Sequence, residues 1–211
     1  MKYPDQVIVG VGGTHLDFLL ACFRIMAGET PILTRVGKVR IESKLRGEVI
    51  GQHANGNRDY VFCRDYKNTE CCHLWSDRMF GKWPTNFIII TFNEQILDIL
   101  LDVRKSKGVG KNNPYLFTFK KSIENYLRSK LPIDEITRSL IIKQRQDMLE
   151  CKNARFIKMQ DIYHRENVAD LLREYGVYNV KYARKFEEFY DNWYNLNKTH
   201  IDKINTLTNK G

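Results

Sequence analysis

The sequence has no long apolar run. Its longest, Phe18 to Phe23, is six residues, whereas a helix needs about 20 apolar residues to cross a bilayer. It also has no internal repeat and no low-complexity tract, which excludes solenoids and flexible spacers. No charged stretch, apolar core and small-residue cleavage site follow Met1. No signal peptide and no membrane association are therefore expected, and the expected location is cytoplasmic. Cysteine is sparse and odd in number: Cys22, Cys63, Cys71, Cys72 and Cys151. Without secretory context that favours reduced thiols over a disulfide framework. The cluster Cys63, Cys71, Cys72 and His73 invites zinc, but lacks the Cys-x₂₋₄-Cys pair plus second pair of a tetrahedral site. Thiols filling a core are the expected reading, and no metal is expected.

Acidic charge is the minority. There are 34 Lys and Arg against 25 Asp and Glu, a formal net charge of +9. This implies affinity for anions, whether nucleic acid, nucleotide or a phosphorylated or sulfated group, and does not separate them. With 43% hydrophobic and 28% charged residues, the composition is that of a globular chain, not a disordered one.

The pattern along the chain alternates strand and helix. Gln6 to Val11 is β-branched and continuous, as in a buried strand, and is ended by Gly12-Gly13. Leu16 to Met26 has helical spacing, with Gly28 as its stop. Residues 34–62 mix Val and Ile with Lys and Arg, and Asn55-Gly56 marks a tight turn, so an inserted hairpin is expected there. A second strand is expected at Phe87 to Phe92, with helical periodicity from Ile96. Helices follow at 119–129, 133–151, 168–175 and 183–196, with a strand-like core at Phe156 to Met159 and a frayed tail at 205–211. The expectation is a single α/β domain over 1–211, three-layer αβα, with a mostly parallel central sheet and a helical C-terminal half.

The first turn bears the chemistry. A helix start after a glycine turn presents unpaired N–H groups and a partial positive charge, which suit phosphate or sulfate. Gly12 and Gly13 would allow close approach, and Thr14 would add a hydroxyl or cap the helix. The same residues would equally make a tight corner with no ligand. No Lys precedes Thr14, as a full P-loop signature requires, and Gly10-x-Gly12-Gly13 is no dinucleotide fingerprint.

Three stretches together resemble the sulfotransferase branch of the P-loop proteins. "VIVGVGGTHLDFLL" is similar to that family's strand, Gly-Thr loop and Leu/Phe-rich helix. "CCHLW", Cys71 to Trp75, precedes "NFIIITFNEQILDIL" as the family's Lys-Thr-His-Leu-Pro step precedes a strand. "FIKMQDIYHRENVADLLREYGV" is similar to its late strand, acidic turn and helix. The resemblance implies a donor, 3′-phosphoadenosine 5′-phosphosulfate, held by Gly12, Gly13 and Thr14. By the same resemblance Asn93 contributes to the donor site, and His73 is the base for an unknown hydroxyl or amine on a small-molecule or glycan acceptor. Histidine suits that role because its pKa lies near working pH. The chain departs from the family in lacking the loop lysine, and in having Phe92-Asn93 where the family has Arg-Asn. Lys38, Arg24 or Lys105, Lys107 and Lys111 are the cations that could substitute.

His15 follows the loop threonine and could donate to a bound anion or acceptor, or simply lie at the surface. Asp17 complements the helix dipole. His53, His164 and His200 stand in no motif. The basic loop at 104–111 follows a helix, and so belongs to the sheet end opposite the one where ligands bind. Phe186, Phe189, Tyr190, Trp193 and Tyr194 fall at helical spacing, as in a face docked on the core rather than a platform for bases. Two functional readings stand: a sulfotransferase-like enzyme, or a catalytically degenerate basic α/β protein that contacts nucleic acid or another polyanion.

Overall fold

The computed structural model describes residues 6–10, 14–35, 37–40, 69–72, 86–97, 99, 133–151 and 154–208. Six strands are seen among them: β1 (Gln6–Val9), β2 (Ile32–Leu33), β3 (Val39–Arg40), β4 (Thr69–Cys72), β5 (Asn86–Thr91) and β6 (Ala154–Lys158). The α-helices are α1 (Leu16–Met26), α2 (Ile133–Leu149), α3 (Arg165–Glu174) and α4 (Ala183–Thr208). Short 3₁₀ turns follow β5 at Glu94–Ile96 and β6 at Met159–Tyr163, and another precedes α4 at Val180–Tyr182.

Four strands form one sheet in the order β4-β1-β5-β6, every neighbouring pair parallel. Gln6 is level with both Thr69 and Asn86, and Phe87 with Ala154. Successive residues of a strand face opposite sides of the sheet. Yet Val7, Ile8 and Val9 are all fully buried, as is the run Phe87 to Ile90. Both faces of β1 and β5 are therefore covered, which is why these strands read as unbroken apolar runs. The chain is a mixed α/β protein with a parallel sheet and a helical C-terminal half.

α1 is apolar almost all round: every residue but Asp17 is buried, as expected of a helix enclosed by a core. It packs against β4, β3, α3 and α4. Its end is a Schellman motif. The Gly28 N–H bonds the Ile25 carbonyl at 2.8 Å, and the Glu29 N–H bonds that of Arg24 at 2.9 Å. Gly28 takes φ 89° there, so the expected glycine stop is met for a conformational reason.

α4 closes the core from its own apolar stripe. Phe186, Tyr190, Trp193, Ile201 and Ile204 are buried. Trp193 stacks on Phe18 of α1, with ring centroids 3.6 Å apart. Tyr190 Oη donates to the Ile162 carbonyl at 2.9 Å. The tail aromatics are thus core residues. The helix also runs on through Asn205 to Thr208, where a frayed tail was expected. Thr206 and Thr208 return hydroxyl bonds to the carbonyls of Asp202 and Ile204.

The hairpin described is β2–β3, at Ile32 to Arg40, closed by Gly37 at φ 70°. The expected Asn55-Gly56 turn, the helix at 119–129 and the basic loop at 104–111 lie outside the described residues. Among the described residues, no helix is long and apolar enough to cross a membrane.

Candidate functional site

The strand order reverses at β1. The chain leaves β1 for β4 on one side, and β5 then lies on the other side of β1. Doubly wound sheets bind ligands at such a reversal, in the crevice beyond the carboxyl ends of the strands. The residues that follow β1, β5 and β6 all stand at that end.

An added Cβ on Gly10 would lie 2.7 Å from Thr14 Oγ1, 3.1 Å from Leu16 Cδ2 and 3.3 Å from Ile90 Cβ. Gly10 is thus a glycine for close approach, because Thr14 folds back onto it. Thr14 has no solvent exposure, and its hydroxyl is turned to Gly10. The helix cap is not Thr14 but His15, which takes the left-handed conformation at φ 62° and makes no side-chain cap bond. A non-glycine residue there is uncommon. Asp17 lies exposed in the first turn of α1, where its charge favours the helix dipole. Gly12 and Gly13 lie outside the described residues.

His15 stands in an aromatic cluster contributed by three parts of the chain. Its ring centroid is 5.7 Å from that of Tyr163, 5.1 Å from Trp193 and 5.9 Å from His200, each in an edge arrangement. Tyr163 ends the turn after β6, whereas Trp193 and His200 come from α4. His15 and His200 are half-buried. Tyr163 and Trp193 are buried, and burial first, then the nearby Tyr190, pushes the Tyr163 hydroxyl far above its ordinary pKa. Sequence reasoning missed Tyr163, Trp193 and His200 as site residues. His200 was legible only by carrying the three-and-four spacing of Trp193 and Asn197 past residue 196, where the helix was expected to end.

Asn93 follows β5 at the same end of the sheet. It is exposed, and its Oδ1 accepts the Gln95 N–H at 3.2 Å while its carbonyl accepts that of Ile96 at 3.1 Å. It therefore caps the 3₁₀ turn. Beside it, Arg145 of α2 reaches the sheet end, where its Nε donates to the Phe92 carbonyl at 3.1 Å. That guanidinium lies 6.0 Å from the Phe92 ring centroid. It was not singled out in the sequence, since nothing local links residue 145 to residue 92.

His73 lies outside the described residues. It directly follows Cys72, the last residue of β4, whose register partner on β1 is Val9. Arg24 cannot supply the missing loop cation. It is held at the opposite end of α1, roughly 13 Å from His15 at about 1.5 Å per residue, where it pairs with Glu29 at 3.2 Å. Lys38 is exposed in the β2–β3 hairpin, and Lys105, Lys107 and Lys111 fall outside the described residues. His164 is exposed at the start of α3, whereas His53 is not described.

Among the described residues no group of three or more His, Cys, Asp or Glu could hold a metal ion. Cys22 is fully buried, and burial drives its thiol pKa well up, so it stays protonated and unreactive in the fold. Cys151 is half-buried. Cys71 and Cys72 belong to β4, and Cys63 lies outside the described residues.

No family model, curated protein or solved structure matches the chain.

Proposed function

We propose that this protein is a sulfotransferase-like α/β enzyme. It binds a phosphoadenosine-type donor at the β1–α1 corner and moves a sulfuryl group to a hydroxyl or amine. The observation that carries the reading is the reversal of strand order at β1. It sets the helix start and Asn93 at the end of the sheet where such folds take ligands. The fit to an anion is chemical: the N-terminal end of a helix carries partial positive charge, which favours a sulfate or phosphate there.

Such a donor would supply an activated sulfuryl group, with its phosphate as the leaving group. Gly12, Gly13 and the first amides of α1 hold the anion. Thr14, with its hydroxyl turned to Gly10, fixes the start of α1 against the end of β1. Asn93 approaches from the neighbouring strand end. His73 takes the acceptor proton and His15 donates to the anion or acceptor. Most of the rate in such a transfer comes from positioning and charge stabilisation.

The alternative, a polyanion-binding protein without the enzymatic step, is favoured by where the basic charge lies. Residues 154–208 carry nine Lys and Arg against eight Asp and Glu, whereas 101–132 carry eight against two. Arginines of the C-terminal half form ion pairs, Arg155 with Glu174, Arg165 with Asp191 and Arg184 with Glu188. On this alternative reading, nucleic acid contacts the basic stretch 101–132.

Calorimetry with 3′-phosphoadenosine 5′-phosphate separates the two readings. Saturable binding to the wild type that is lost in Gly13→Asp supports the enzyme. No heat with either protein, together with DNA or RNA binding that weakens steeply as salt rises, supports the alternative.

A further inference from the structure

Tyr163 and Tyr190 are both buried, 5% and 4% exposed, yet their hydroxyls differ. Tyr190 Oη donates to the Ile162 carbonyl. Tyr163 Oη is buried and has no hydrogen-bond partner among the described residues. A buried hydroxyl left unpaired forfeits its hydration and receives nothing in exchange, so an orphan of this kind calls for a partner outside the protein. Its position says what that partner is. The Tyr163 ring lies edge-on to His15 at 5.7 Å, and His15 is the cap residue of α1. The ring that carries the orphan donor thus lies beside the residue that caps an eleven-residue helix at the carboxyl end of the sheet.

We propose that the Tyr163 hydroxyl is a ligand-binding donor, which gives its hydrogen bond to an oxygen of a sulfate or phosphate group bound at the start of α1. This rests on the reading of that corner as an anion site, and adds to it a residue that no motif marks. Burial keeps the phenol protonated, so it stays a donor over the whole working range of pH. An uncharged donor in a desolvated position binds an anion without needing a counter-charge of its own. That matters in a chain whose loop lacks the lysine.

The test is Tyr163→Phe, which removes one oxygen and leaves the ring to fill its place. Wild type and variant are titrated with inorganic sulfate and with 3′-phosphoadenosine 5′-phosphate, and both are melted without ligand. The expected result is a ligand-free variant that melts at or above the wild type, with affinity for each bound probe reduced about tenfold or more. Unchanged affinity overturns the assignment. So does a ligand-free melting point lowered as much as that of Tyr190→Phe, which would show a structural bond. If the wild type binds sulfate but not the nucleotide, the donor proposed above is refuted, while the Tyr163 assignment stands or falls on the sulfate arm. A wild type that binds neither probe overturns both.

Discussion

Gly10→Ala isolates the corner on which the site depends. Two effects oppose each other. Alanine narrows the unfolded ensemble, which stabilises by about 0.4–1 kcal/mol where the native conformation tolerates it. Against this, the new methyl would meet Thr14 Oγ1 at 2.7 Å, Leu16 Cδ2 at 3.1 Å and Ile90 Cβ at 3.3 Å. Thr14 is wholly buried and Leu16 nearly so, so neither can swing into solvent, and Ile90 belongs to the central sheet. Overpacking of this kind costs about 1–3 kcal/mol, and the clash wins. At about 2–4 °C per kcal/mol for a chain of this length, a net loss near 1–2 kcal/mol lowers Tm by about 2–8 °C. Thermal or urea unfolding of Gly10→Ala, Thr14→Ala and the double variant tests the cause. Thr14→Ala removes the nearest obstructing atom, so the double variant should be more stable than the sum of the singles implies, by about 0.5–3 kcal/mol. A Gly10→Ala protein that melts with the wild type, or strict additivity in the cycle, would refute the account of this glycine.

Tyr190→Phe deletes the bond to the Ile162 carbonyl inside the core and should cost about 1 kcal/mol. That is a drop of about 2–4 °C by calorimetry, and an unchanged Tm would contradict it. Alkali should unfold the protein cooperatively. Burial raises the pKa of Cys22, Tyr163 and Tyr190 in the fold, so the native state keeps protons that the unfolded chain gives up. The stability this confers is complete below about pH 8, and is lost as pH rises through the unfolded and then the folded values. Urea midpoints should fall between about pH 8 and 11, with tyrosinate absorbance rising in step. Cys22 that reacts with a thiol reagent in the native state near pH 9 would count against this.

Much of the site was illegible locally, for identifiable reasons. The sequence pointed to the β1–α1 turn because an apolar strand, glycines and a helical repeat follow one another within some twenty residues. It did not show why Gly10 is a glycine, since the obstruction comes from Thr14 folded back and from Ile90, eighty residues away. Nor did it show Tyr163 beside His15. The sequence recorded that Phe92 replaces an expected arginine, but not that Arg145 sends a guanidinium to that carbonyl.

What the sequence by itself determined is the set of elements: β1, α1, β5, α2, β6, α3 and most of α4. Each of these carries its own apolar period or run and its own stop signal within a few residues. That local pattern decides whether a segment can bury a face. Tertiary structure alone decided the order β4-β1-β5-β6, the use of Arg24 at the far end of α1, and the meeting of His15 with His200 across the chain. Those depend on which faces pack together once every element has formed, and each apolar face would accept several partners. Shape and crossovers choose among them, and neither is written in a short window of residues.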